Sequence, residues 1–157
     1  MVLKIIYTIF LALIIALFVG LGIDAFYSAP KAPEYPVVLQ SFKEMCEATP
    51  EQKAAQAKYD QEMRDYTEAM KPYNRNVSMI SLSAAIIVLI LSLTLLAKIK
   101  MIADGILLGG VFTTVYSIIR GLMTDNTKFR FSIVVVGLII ALVLGYIKFI
   151  RQKAEIA

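Results

Sequence analysis

Asp104 is the one acidic residue inside the long apolar runs of this 157-residue chain. A carboxylate at membrane depth is by default a functional hypothesis, as a proton relay or an ion ligand. Its place also suits a structural role. It follows Met101, where its run begins, by three residues. That is about 5 Å of helix rise, so the group lies near an interface, where the helix macrodipole favours an anion. Lys100 and Lys148 fall at the same level and could pair with it. Asp104 is therefore carried forward as a candidate functional acid with an ion pair as the competing reading. A second charged group, Arg120, Lys128 and Arg130, makes a basic turn between the last two runs. Such a turn fits charge pairing or lipid phosphate at the headgroups, and an acidic partner is the sharper option.

The usual machinery of an enzyme is missing. The chain has no histidine, the commonest general base and metal ligand, and only one cysteine, Cys46, so no intrachain disulfide can form. No glycine loop follows a strand to cradle phosphate, no Cys/His set has metal-ligand spacing, and the carboxylates between residues 24 and 76 spread around helix faces without converging. The expectation is a non-enzymatic protein with no catalytic residues, metal or cofactor.

The elements that carry these residues are membrane-like. Hydrophobic residues make up 59% of the chain, mean hydropathy is +0.72, and ordinary soluble domains are about 45–50% apolar. The excess sits in four runs, which predicts an all-α integral membrane protein. Ile5 to Ile23 is an unbroken run of 19 residues, about 28 Å of helix against a hydrocarbon core of about 30 Å. It is longer than the apolar core of a signal peptide and reads as a retained first transmembrane helix. Residues 77–97, 101–119 and 131–147 are the other three, and a short basic tail follows. The net charge of +4 is assigned to anchoring and topology. No nucleic-acid partner is expected, because basic and aromatic residues do not interleave in a groove-like pattern.

Between the first two runs lies a polar stretch, 24–76. Pro30, Pro33 and Pro36 recur every third residue, which places all three rings on one edge of a polyproline II strut. A short helix is predicted over 37–47, with Val38, Phe42 and Met45 on one face. Thr49, Pro50 and Gln52 then form a helix start with a capping box. Tyr59, Met63, Tyr66, Met70 and Tyr73 follow at alternating spacings of four and three, the seam of a helix that packs against something. Pro72 is expected to stop or kink that helix. The two helices are expected to form an extramembrane hairpin, with a seam too long for the short helix to cover. Tyr and Met suit the interface that remains.

Small residues recur at i+4 steps: Ala12, Ala16 and Gly20 on the first helix, Gly105 and Gly109 on the third, and Gly137, Ala141 and Gly145 on the fourth. Small residues let backbones approach, which matters where packing rather than water drives association. Serines and threonines in the second run are expected to bond their own helix backbone. Four spans put both termini on one side. Residues 1–4, 98–100 and 148–157 hold six Lys/Arg in 17 residues, against ten in 64 for 24–76 and 120–130 together. That density favours cytoplasmic termini and an extracytoplasmic 24–76.

The layout, with a long first and a short second loop, resembles that of several tetraspan and large-pore channel families. Their signature cysteines are absent, and no residue role carries over. The function these features suggest is a multi-pass membrane assembly protein that contacts the lipid bilayer. Its partner is a second copy of itself or another membrane or envelope protein. The competing reading is a subunit of an oligomeric channel or small transporter with the third helix lining the path.

Overall fold

The computed structural model describes residues 2–40, 49–94 and 99–151. Phe42, Met45, Cys46, Lys98 and Lys153 lie outside these residues. All regular structure among the described residues is helical: α1 (Val2–Phe26), α2 (Val37–Gln40), α3 (Pro50–Thr94), α4 (Lys100–Leu122) and α5 (Thr127–Gly145), the last running into a π-helical turn, Tyr146–Arg151. Four helices, α1, α3, α4 and α5 with its extension to Lys148, are long and apolar enough to cross a membrane. The chain divides into two compact units, Met1–Ser28 with Asn74–Ala157, and Ala29–Tyr73.

In the first unit α4 is the hub. A Cβ built on Gly105 would sit 2.8 Å from Leu11, and one on Gly109 would sit 2.9 Å from Ile15. The contacts advance together along both helices, so α1 and α4 lie parallel. A Cβ on Gly110 would meet Leu89 at 2.6 Å, and one on Gly121 would meet Ser78 at 2.8 Å. These contacts run in opposite senses, so the C-terminal part of α3 is antiparallel to α4. The pairs Gly121 with Ile133 and Gly137 with Ile118 make α5 antiparallel to α4 as well. The registers therefore bring Val2, Lys100 and Lys148 to one end of this unit. Phe26, Asn74 and Arg120 come to the other. The share of each apolar window buried inside the chain follows the same order, 39% for α4 but 11% for α1 and for α5.

Caps show why the helices begin where they do. Thr49 Oγ1 accepts from Gln52 N–H at 3.3 Å while Gln52 Oε1 accepts from Thr49 N–H at 2.9 Å. This is the reciprocal capping box that the sequence predicts. Asn126 Oδ1 accepts from Phe129 N–H at 3.2 Å and starts α5. The helix does not stop at Pro72, which lies inside α3. A proline in a helix interior forfeits one backbone hydrogen bond and costs about 3 kcal/mol. The helix on its C-terminal side is held by buried Val77, Ser78, Ser81, Ala85, Leu89 and Ser92, and that packing offsets the loss.

In the second unit the prolines follow the predicted period. Pro30, Pro33 and Pro36 are half-buried, and Lys31, Ala32, Glu34 and Tyr35 between them are exposed. The Tyr35 ring meets Tyr59 edge-on, with centroids 5.3 Å apart and planes at 76°. Leu39, four residues after Tyr35, is buried, while Val38 is 43% exposed. Of the expected face, Val38, Phe42 and Met45, only Val38 lies among the described residues, and it is more exposed than its neighbour Leu39. Where the sequence suggests a helix as cover for the seam, the described cover is the extended strut, through Tyr35.

Candidate functional site

Asp104 lies in the second turn of α4, and its carboxylate accepts a hydrogen bond from Lys148 Nζ in the π turn after α5. The side chains are 36% and 33% exposed, so the pair sits at the edge of the helix cluster. Arg120 stands 16 residues further along the same helix, about 24 Å away at 1.5 Å per residue. No charged residue lies between them. The two charged levels are thus separated by nearly the thickness of a hydrocarbon core, about 30 Å.

Lys148 is the partner that Asp104 takes, and Lys100 is not. Lys100 instead lines a cleft of about 660 Å³ with Lys4, Ile5, Ile9, Asp104 and Leu108, between the N-terminal ends of α1 and α4. The ion pair holds α5 to α4 at the one end of their contact where no glycine draws them close. Lys148 reaches it from a backbone that has just left α-helical geometry.

The basic turn does not converge on one point. Arg120 donates from Nη1 to Asn74 Oδ1 at 2.9 Å and from Nε to the Tyr116 hydroxyl at 3.1 Å, with its cation 5.5 Å from the Tyr116 ring. Arg130 Nε donates to the Thr124 carbonyl and folds over its own turn. Lys128 is exposed. Nearby, Asn76 Nδ2 donates to the Tyr27 hydroxyl at 2.8 Å and ties α3 to the end of α1. Arg120 and Asn76 at this end are therefore engaged in joining helices, whereas Arg130 is held within its own turn.

The small residues divide into two groups. Ala12, Gly105 and Gly109 meet where α1 crosses α4; a Cβ on Gly109 would also come within 3.2 Å of the Ala12 carbonyl oxygen. Gly137 receives Ile118. Ala16 is half-buried and Ala141 exposed, and a Cβ on Gly20 or Gly145 would meet nothing within 4 Å. Gly20 and Gly145 are therefore not close-packing residues among the described ones, and Ala141 faces outward. The reason is angular. Two i+4 steps turn about 80° away from the starting face at 3.6 residues per turn. The buried line on α1 instead runs from Ala12 to Ile23, an eleven-residue step that returns to within about 20°.

The contact that sequence reasoning missed is polar. Ser78 Oγ donates to the Ser117 carbonyl at 2.8 Å, and Ser117 Oγ donates to the Ser78 carbonyl at 2.7 Å. At the other end of the same helix pair Ser92 Oγ donates to the Ala103 carbonyl at 2.6 Å. All three serines are buried. Ser81, Ser83 and Thr94 do bond their own helix, as expected. The available signal was position, which marks the buried face of α3 but not the bond. Ser78, Ser81 and Ser92 fall within about 60° of one another and all three are buried, yet Ser81 bonds its own helix.

The seam keeps its pattern in the second unit. Tyr59, Met63, Tyr66 and Met70 are half-buried, Tyr73 is buried, and Asp60, Glu62, Arg64, Asp65 and Glu68 around them are exposed. A cleft of about 580 Å³ opens between Tyr35 and Leu39 on one side and Gln52, Gln56 and Asp60 on the other.

No protein-family model matches this chain, and neither does any curated protein or solved structure.

Proposed function

We propose that the protein is a multi-pass membrane protein that works by assembly, associating with further copies of itself through the 49–73 helix and the outer faces of its membrane helices, without catalysis. The observation that carries this reading is the seam. Four large side chains, Tyr59, Met63, Tyr66 and Met70, stand in a half-buried row on a helix whose other faces are charged and exposed. Among the described residues, Tyr35 makes a ring contact to that row at its Tyr59 end. A coiled-coil-like row of adaptable and amphipathic side chains suits a second helix of the same kind. The weak burial of α1 and α5, at 11% each, supports a further interface or a lipid-facing surface.

The competing channel reading has less support. It needs α4 to line a path, yet α4 is the most internally buried of the four helices, and its glycine faces are taken up by α1, α3 and α5. For orientation, the density of basic residues near residues 1–4, 98–100 and 148–157 supports cytoplasmic termini and an extracytoplasmic 24–76.

The test of assembly is to exchange Tyr59→Ser, Met63→Gln and Tyr66→Ser together and weigh the complex in lipid discs. Release of single protomers is the expected result. An unchanged mass would rule out association through the seam.

A further inference from the structure

The cleft between the N-terminal ends of α1 and α4 has two kinds of wall. Ile5 and Ile9 of α1 and Leu108 of α4 supply an apolar side, and Lys4 and Lys100 supply an ammonium group from each helix. Neither lysine has a partner among the described residues. Asp104 also reaches the cleft, but its carboxylate is already joined to Lys148. With that carboxylate matched by Lys148, the charges of Lys4 and Lys100 leave the cleft lining positive. The cleft measures about 660 Å³, within the range of about 300–1,000 Å³ for small-molecule sites.

We propose that this cleft binds one anionic phospholipid, with its phosphate between Lys4 and Lys100 and an acyl chain along Ile5, Ile9 and Leu108. The inference rests on the chain being inserted in a bilayer. Charge complementarity selects the occupant. Lysines at a helix end can simply extend toward water. Here they approach one cleft from two helices, directly above apolar side chains at the depth where acyl chains begin. A zwitterionic headgroup would bring its own cation toward Lys4 and Lys100, so a net-negative headgroup is preferred. A free phosphate would use the lysines and leave the apolar wall uncovered.

The experiment is native mass spectrometry of the purified full chain, incubated in turn with dioleoyl phosphatidylglycerol, dioleoyl phosphatidylcholine and inorganic phosphate. One phosphatidylglycerol should remain bound in preference to phosphatidylcholine, and millimolar inorganic phosphate should not displace it. Lys4→Gln with Lys100→Gln should weaken that binding about thirtyfold, from ~1 kcal/mol per lysine near an anionic surface. The Lys4→Arg, Lys100→Arg pair should keep it. Thr8 also lines the cleft, so Thr8→Phe, which fills it and leaves every charge in place, should also weaken binding, whereas Lys128→Gln at the opposite end should not. Equal retention of phosphatidylcholine, unchanged binding by the double Gln variant, or displacement by inorganic phosphate would each overturn the site. Extraction of the wild-type chain from membranes by alkaline carbonate would instead refute membrane insertion itself, which separates the two failures.

Discussion

Asp104 and Lys148 stand 44 residues apart in the sequence and form an ion pair. An acid in an apolar run has few places to find a cation, and only the lysines at the same membrane level qualify. Its role as one half of an ion pair was therefore legible in advance, although the choice of Lys148 over Lys100 was not. That choice depends on the π turn and on how α5 meets α4. The serines show the opposite case. A helical serine can donate to its own preceding turn or to a neighbouring helix, and its identity does not distinguish the two. Ser81 takes the Val77 carbonyl while Ser92 takes Ala103 on α4. If Asp104 acts through its pair with Lys148, Asp104→Asn should lower stability in detergent by about 1 kcal/mol, the scale of a partly exposed ion pair. Asp104→Lys with Lys148→Asp should recover part of the loss, incompletely because a cation then lies near the N-terminus of α4. Thermal denaturation of the three variants would decide the matter. A stable Asp104→Asn protein that no exchange affects would leave the acid without this structural role.

At the level of elements, the four apolar runs fall in four helices long and apolar enough to cross a membrane, and a helix of that length satisfies its backbone polar groups internally. Two of the helices extend past their apolar runs at both ends: α1 reaches from Val2 to Phe26 where the run spans Ile5 to Ile23, and α4 from Lys100 to Leu122 where the run spans 101–119. The shared edge of Pro30, Pro33 and Pro36 is legible for a simpler reason: prolines at a period of three fall on one side of the segment, and all three are half-buried. Its packing partner was not legible, since nothing in the sequence links Tyr35 to Tyr59 across the intervening residues. Small-residue motifs were half informative. Spacing of four identifies a stripe that drifts around the helix, and only the residues near a crossing point meet a neighbour. A direct comparison follows from this. Gly109→Ala places a methyl group 2.9 Å from Ile15 and 3.2 Å from the Ala12 carbonyl oxygen, and should cost about 1–3 kcal/mol through overpacking. Gly20→Ala meets open space and should be neutral or slightly stabilising, because alanine favours the helix. Equal denaturation midpoints for the two variants would mean that α1 and α4 do not cross at Gly109.

For the whole molecule, the register of contacts in the helical cluster brings the beginning of α1 and the end of α5 to the same end. Which compartment that end faces is a matter of charge. The proposed orientation predicts that a membrane-impermeant maleimide labels Lys58→Cys, introduced in a Cys46→Ser background, on intact cells. Lys58 has a side chain 80% exposed, so labelling only after lysis would reverse the orientation. Association is the larger claim, and neither composition nor helix pattern could specify its stoichiometry, because an outward apolar face looks alike whether lipid or protein covers it. The mass of the wild-type complex in lipid discs tests it most directly. The account predicts a protein mass that is a whole multiple, two or more, of the 17.4 kDa chain; a single 17.4 kDa chain per disc at every protein-to-lipid ratio would contradict it.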